Sequence, residues 1–426
     1  TIFNKLFKGI LKMKKVVFLM GGYYPNFSAG GVCLGNIIDE IDKDYEVIVI
    51  AIDYTTNLMK YENYRNHKIV RIHTLIHKLE IFTINLEKSQ YIYQRICGNF
   101  FHLILKGYKL LSILLKKNTI DKKLYKKYLE ALKNIEKVNY IIPTCAPFES
   151  ILASMKYVQI NKNCEMIPIL FDGYANAKKL HRTNFNYKIK YNNHINLEKD
   201  MFNKSKAVLY TESWAKHIKN HFFIYRNKCI EIEHPMLKNN LEDYNAINEE
   251  LGYKAVISYI GSLNFNNRNP QGFLKIIEDA IFNNFNFLFC GAGDAFKLIK
   301  STNNVQNKGR IPKEEANYIV SKSTYLLSIG NIDITQTPSK IFEMISTGKP
   351  IIHYYFSKYD PVLNILEQYP NKCLLDDKND LEDNRIKLYS FLIKKCALVN
   401  FEEIKKIYWK ALPSTSANIL KKIMED

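Results

Sequence analysis

The segment Thr337-Pro338-Ser339-Lys340-Ile341-Phe342-Glu343-Met344-Ile345-Ser346-Thr347-Gly348-Lys349-Pro350 combines residue types that could hold an anion. Thr337 can cap a helix and Pro338 fits its first position. The free backbone N–H groups of Ser339 and Lys340 would then point out of the helix start, with a hydroxyl and an ammonium beside them. Glu343 follows on the same helical face, about one turn or ~5 Å further along. A nucleoside diphosphate has the same layout, with phosphates at one end and ribose hydroxyls a few ångströms away. A carboxylate is a suitable acceptor for those hydroxyls. The plain alternative is a capped helix with a solvated Glu343. Against it, Ile341, Phe342, Met344 and Ile345 surround Glu343, and a carboxylate among apolar neighbours needs partners.

Other positions could do chemistry in the first half. Gly22, Gly30 and Gly31 lie in a glycine-rich loop after the first predicted strand. They could let backbone approach a phosphate or an acceptor, or simply form a flexible turn. Asp172, in Leu170-Phe171-Asp172-Gly173, sits at a predicted strand end, the end that faces ligand in parallel α/β folds. It is a candidate acceptor-side base or hydroxyl ligand, and otherwise a turn-forming Asp before Gly. His181 and His194 are further candidates. Gly291 and Gly293 form a lone G-x-G, which reads as a tight turn rather than a cofactor fingerprint.

These residues must be positioned by strands and helices that the pattern supplies. Val16–Met20 predicts a strand, a helix through Val32, Leu34, Ile37, Ile38 and Ile41 follows, and Glu46–Ile52 predicts the next strand. That is a βαβ start and implies a parallel sheet. Residues 80–138 read as a lysine-rich insertion of long helices, with a polar stripe through His102, Lys106, Lys109 and Lys116. Strands resume at Tyr140–Pro143, Met166–Phe171 and Ala207–Tyr210. The polar stretch Leu237–Gly252 reads as a linker. Beyond it, strands at Ala255–Ile260, Phe285–Cys290, Thr324–Ser328 and Pro350–Tyr354 alternate with helices starting near Asn269-Pro270, Pro312 and Pro338. The helix after Pro270 carries an apolar face through Phe273, Ile276, Ile277, Ala280 and Ile281. The 426 residues suit two domains of roughly 200 residues each. The boundaries expected are 1–240, 253–400, and a final stretch 401–426 that could cross back to the first domain.

The segment "TPSKIFEMISTGKPII" resembles the donor-site signature of GT-B glycosyltransferases, especially family 4 of bacterial surface-polysaccharide assembly. "YIGSLNFNNRNPQGFLKII", "FLFCGAG" and "GRIPKEEANYIVSKSTYLLSIG" follow the same order. The resemblance runs from Met13 onward, strongest in the second half. It implies a GT-B fold: two facing Rossmann-like domains with parallel sheets and a cleft between them, acceptor in the first and nucleotide sugar in the second. It implies that Glu343 binds the donor ribose and that Ser339 and Lys340 bind the diphosphate, with Thr337 among the donor-site residues. Related enzymes often carry Gly-Arg after the first strand of this domain; here Gly261 is followed by Ser262, and Arg268, the nearest cation, is assigned to the phosphates. Arg310 and Ile311 lie where relatives run backbone past the nucleotide base. A Glu common eight positions before the ribose Glu is replaced by Thr335, which bears on donor choice. The reaction implied is sugar transfer from a nucleotide diphosphate, UDP by family habit with GDP open, to a saccharide or lipid-linked saccharide, with retention of configuration. No resident cofactor and no metal are expected: the Asp-x-Asp at Asp42-Lys43-Asp44 falls between a helix and the following strand, the wrong end for a ligand.

The formal charge of +19 attracts anions without choosing among them. A nucleic-acid binder would need aromatics interleaved with a basic groove, and none is evident. The lysine-rich amphipathic insertion suits an anionic membrane surface, or else is an ordinary packed insertion with a solvated lysine face. Eight scattered cysteines with no C-x-x-C pair fit reduced thiols and a cytoplasmic location. No cleavable leader is expected. A sugar-nucleotide epimerase on the same fold is the rival enzyme, and a catalytically silent homologue is another.

Overall fold

The computed structural model describes residues 13–54, 58–177, 183–239, 255–334, 336–394 and 396–426. In chain order the first half runs β1 (Lys15–Met20), α1 (Ala29–Ile41), β2 (Glu46–Ile52), β3 (Tyr61–Tyr64), β4 (His67–Ile72), α2 (Leu75–Glu87), α3 (Ile92–Leu115), α4 (Lys122–Lys133), β5 (Tyr140–Pro143), α5 (Glu149–Ile160), β6 (Glu165–Met166), β7 (Ile169–Leu170), α6 (Asn184–Lys204), β8 (Val208–Tyr210), α7 (Glu212–His221) and β9 (Cys229–Glu231). The second half runs β10 (Val256–Ser262), α8 (Gln271–Ile277), β11 (Asn286–Ala292), β12 (Val305–Gly309), α9 (Lys313–Lys322), β13 (Tyr325–Ile329), α10 (Lys340–Ser346), β14 (Ile351–Tyr355), α11 (Pro361–Leu366), β15 (Lys372–Asp376), α12 (Leu381–Ile393), α13 (Phe401–Ile407) and α14 (Pro413–Glu425).

The chain divides into two compact units. The first holds residues 1–235 and 413–426, the second 236–412. The first unit's main sheet has the order β3-β4-β2-β1-β5-β6, parallel except for the β3 edge. A bridge from Thr144 to Ile169 links it to the parallel set β7-β8-β9. The apolar run Val16–Met20 is fully buried, as expected for a central strand covered on both faces. The expected strand Met166–Phe171 is broken at Ile167-Pro168 into β6 and β7, because proline cannot donate to a ladder. The last helix, α14, packs on α1, and Lys14 and the Tyr140 hydroxyl both donate to its Met424 carbonyl. Residues 401–412 stay with the second unit, so only the final helix joins the first.

The second unit is one parallel sheet, β12-β11-β10-β13-β14-β15. Its core is aromatic and aliphatic, centred on Phe273, Phe282, Phe287, Phe289, Tyr354 and Leu388. The chain builds outward from β10 to β12, then returns to add β13 on the other side of β10. That reversal puts a crevice at the carboxyl ends of β10 and β13. The expected helical face through Ile281 stops short: α8 ends at Ile277, a 3-10 turn follows, and Phe282 is buried while Ile281 is exposed. Most of the expected linker, from residue 240 on, lies outside the described residues, as do residues 1–12, His181 and Thr335.

Candidate functional site

The loops after β10 and β13 are bound together at the strand reversal. Asn267 accepts from the backbone of Ile332 and, through its side chain, from Asp333 (2.7 and 2.9 Å). The Arg268 Nη2 donates to Asn331 Oδ1 (2.8 Å), and Asn331 Nδ2 donates to the Gln336 carbonyl (3.0 Å). Lys340, the first residue of α10, donates from Nζ to the Ile260 carbonyl at the end of β10 (3.3 Å). Within this unit the structure therefore gathers Gly261, Ser262, Arg268 and Lys340 at one strand-end crevice. Asn267 and Asn331 were not singled out in the sequence. Their signal was only polar residues in two loops, without a pairing rule.

Glu343 is half-buried on α10, where Ile341 and Phe342 are buried on the adjoining face. Burial raises its carboxyl above the ordinary 4.5; Lys340 and then Lys313 pull the other way. Lys313 opens α9 just beyond Arg310, Ile311 and Pro312, so the end of β12 also feeds this crevice. Arg310 is exposed, and Ile311 is half-buried against the small cluster of Val256, Leu288, Cys290 and Ile319. A carboxylate drawn into an apolar setting between two lysines can accept hydroxyl hydrogens while the ammoniums meet anionic oxygens.

The start of α10 differs from the expectation. Thr337 does not cap it: the helix begins at Lys340, Ser339 holds the cap position in helical geometry, and no side chain bonds a first-turn N–H. The chain enters through a 3-10 turn, with Ile341 bonding the Pro338 carbonyl and Phe342 that of Ser339. Thr337 and Ser339 remain half-buried beside the crevice.

The glycines at the strand ends are packing devices. A Cβ on Gly291 (φ +147°) would lie 1.7 Å from the Gly261 carbonyl oxygen, and one on Gly293 (φ +130°) 1.9 Å from that of Leu263. The expected tight turn is there, and its purpose is to let the end of β11 lie against the end of β10. The Tyr259 hydroxyl, beside Arg268, donates to the Ser262 carbonyl (2.9 Å) and fixes the loop that follows. The Arg268 Nε is buried with no partner among the described residues.

In the first unit, α1 begins at Ala29, capped by the Ser28 hydroxyl, which accepts the Gly31 N–H (3.1 Å). That N–H is therefore used internally. A Cβ on Gly31 would sit 2.0 Å from the Gly22 carbonyl oxygen, so Gly31 is required by a close approach. Gly30 is half-buried, and a Cβ on it would make only an ordinary contact with the Phe171 ring, at 3.9 Å. Asp172 follows β7 with an exposed side chain. Its backbone is held firmly: Cys145 Sγ and Trp214 Nε1 both donate to its carbonyl at 2.8 Å. The buried Glu198, paired with His217 (2.6 Å), accepts the Ala175 N–H and anchors the next turn. His194 is buried and stacked on Tyr174, which gives it a packing role. Asp42 closes the C-terminal end of α1 and pairs with buried His67 (3.3 Å), while Asp44 pairs with Lys421, both away from the strand carboxyl ends.

No protein-family profile matches the chain, and no curated protein matches it. Solved structures do. The catalytic domain of Arabidopsis thaliana starch synthase IV, bound to ADP and acarbose, superposes with a TM-score of 0.58 at 9% identity, covering 97% of this chain and 99% of that one. Sucrose-phosphate synthase from Thermosynechococcus elongatus gives 0.58 at 11%, over 97% and 99%. Anabaena HepE, in complex with UDP and glucose, gives 0.55 at 11%, over 97% and 100%. The fold is GT-B. In GT-B terms, the glutamate helix α10 and the reversal at β10 and β13 belong to the second unit. The glycine loop and Asp172 belong to the first.

Proposed function

We propose that the chain is a glycosyltransferase that moves a sugar from a nucleotide-diphosphate donor to a saccharide or lipid-linked saccharide acceptor. The observation that carries this reading is Glu343: a carboxylate drawn into the crevice of the second unit, raised by burial and flanked by Lys340 and Lys313. The ribose hydroxyls would donate to Glu343. The diphosphate would meet Lys340, Arg268 and the backbone around Ser262 and Ser339, with Arg310 and Ile311 alongside the base. Support also comes from two of the GT-B neighbours, starch synthase IV and HepE, whose structures hold ADP and UDP. UDP is the nucleotide we favour.

Catalysis would rest on stabilising the leaving diphosphate with Lys340 and Arg268 rather than through a divalent ion held by an Asp-x-Asp motif. We take Asp172, exposed on a turn whose backbone is held by Cys145 and Trp214, as the acceptor-side base or hydroxyl ligand, with Gly22 and Gly30 in the loop of the same unit. We read the transfer as retaining, the pathway as cell-surface polysaccharide synthesis, and the place of work as the cytoplasmic face of a membrane. A thermal-shift panel of UDP, GDP and ADP on wild type and Glu343→Ala tests the donor reading. One nucleotide should raise the melting temperature of wild type and leave the variant unmoved. A panel that moves neither protein, or both equally, contradicts it.

A further inference from the structure

The hairpin of α2 and α3 is built inside out. Among the residues of these two helices the buried ones are Thr83 and Gly98, neither of which has a large apolar side chain. The two helices meet through polar groups and one edge-on ring contact, Phe82 with Phe101. Glu80 pairs with Lys109 and Glu87 with His102. Gly98 lets α3 close on α2: a Cβ there would be 2.7 Å from the Glu87 nitrogen. The stripe expected to be a solvated lysine face thus points partly into the hairpin.

The apolar stripe faces out. Ile92, Ile96, Phe100, Leu103, Leu110 and Leu114 recur at three-, four- and seven-residue spacing along α3, and all are exposed, Leu103 to 68%. Leu75, Leu79 and Phe82 on α2 are exposed as well. In water such an arrangement is unfavourable by roughly 25 cal/mol for each Å² of apolar surface left wet. Monomeric proteins rarely expose a contiguous apolar face of this extent.

Charge says what covers it. Residues 75–133 carry twelve lysines and arginines against four acids. Three of the acids, Glu80, Glu87 and Glu130, are already paired internally. Arg95 and Lys106, both exposed, lie on one flank of the stripe, and Lys116 and Lys117 follow its end. An apolar band edged by cations matches an anionic bilayer surface, with side chains among the acyl chains and ammoniums at the headgroups. An apolar protein partner would leave the cationic edge unexplained. Among the described residues, no helix is long and apolar enough to cross a membrane. The 24-residue α3 lies along a surface instead. Its base is fixed to the body: Lys190 and Asn186 of α6 both donate to the Ile113 carbonyl.

We propose that the outward face of the α2–α3 hairpin embeds in the headgroup region of an anionic lipid bilayer. The proposal stands apart from the transferase reading, since lipid binding and nucleotide binding are measured separately. The test is co-sedimentation of the full chain with vesicles of equimolar phosphatidylcholine and phosphatidylglycerol, and with phosphatidylcholine alone. The variant is Ile96→Glu/Leu103→Glu/Leu110→Glu, all at exposed positions. Its circular dichroism and melting temperature should match wild type. Wild type should pellet with the anionic vesicles, less with the neutral ones, and the variant at least about tenfold less. Wild type left in the supernatant, or a variant that pellets equally, overturns the proposal. So does a wild-type dimer in sedimentation velocity that the variant dissolves while neither protein binds vesicles, because the stripe would then be a self-association face.

Discussion

The α10 crevice and the α2–α3 hairpin invert each other. At the crevice a charged group has been drawn in: Glu343 sits among apolar neighbours and its carboxyl is raised by burial. At the hairpin apolar groups have been turned out, while the pairs Glu80–Lys109 and Glu87–His102 bridge the two helices at a partly exposed edge. Each breaks the ordinary rule of burial. We read each break as a place completed from outside the chain, by a polar ligand in one proposal and by an apolar phase in the other.

Substitutions separate the two regions by where they cost stability. The largest effect is expected at Gly291. Valine there must clash with the Gly261 carbonyl and adopt a positive φ, so Gly291→Val should destabilise the second unit by about 3 kcal/mol, read as a lower denaturation midpoint. Lys349→Met comes next. The Lys349 ammonium donates to the carbonyls of Val320, Ser321 and Ser323 at 2.6–2.8 Å, closing the C-terminal end of α9 at the end of the sheet opposite the crevice. Its loss leaves buried acceptors unmet and should cost about 2 kcal/mol in a chemical melt. Burial pushes this group down to about 8, below the 10.5 of a free lysine. The unfolded chain therefore binds the proton more tightly, and this group's contribution to stability should grow as pH rises between those values. In the hairpin, by contrast, the triple glutamate variant should shift stability by no more than about 0.5 kcal/mol, since its side chains are exposed. The smallest effect is Lys109→Gln, which removes one exposed-edge pair with Glu80 and should cost about 0.2 kcal/mol. A large loss of stability in either hairpin variant would mean that the stripe is packed, and the contrast would fail.

The same comparison shows what was legible in the sequence. The second unit read well because its signals are local. Prolines at helix starts, glycines at strand ends and short apolar runs each constrain their own neighbourhood, and β10, β11, β13 and β14 fall within two residues of expectation, whereas the edge strands β12 and β15, short and half polar, were not foreseen. Glu343 was legible because flanking apolar residues imply its burial. The start of α10 was not, since a 3-10 entry and a helix cap share the same Thr-Pro-Ser letters. Asn267 and Asn331 were invisible because their bond joins two loops 64 positions apart. The hairpin was half legible. Periodicity marks two faces of a helix but says nothing about which one meets its neighbour. Gly98 was the unused clue, a small residue on the lysine side that permits close helix packing. Gly31 was read as a possible ligand loop, yet its N–H serves the Ser28 cap and its missing Cβ serves Gly22.

The central claim is that Glu343 completes a nucleotide site, and isothermal titration of UDP into wild type and Glu343→Gln tests it most directly. Wild type should bind, and the variant should bind about tenfold or more weakly, the cost of losing charge-assisted hydrogen bonds to a carboxylate. Wild-type affinity should also fall as pH is lowered through the raised Glu343 value, above 4.5, because the protonated acid no longer accepts as an anion. Equal affinity of the two proteins for UDP, or no binding of UDP, GDP or ADP to wild type, would contradict the account.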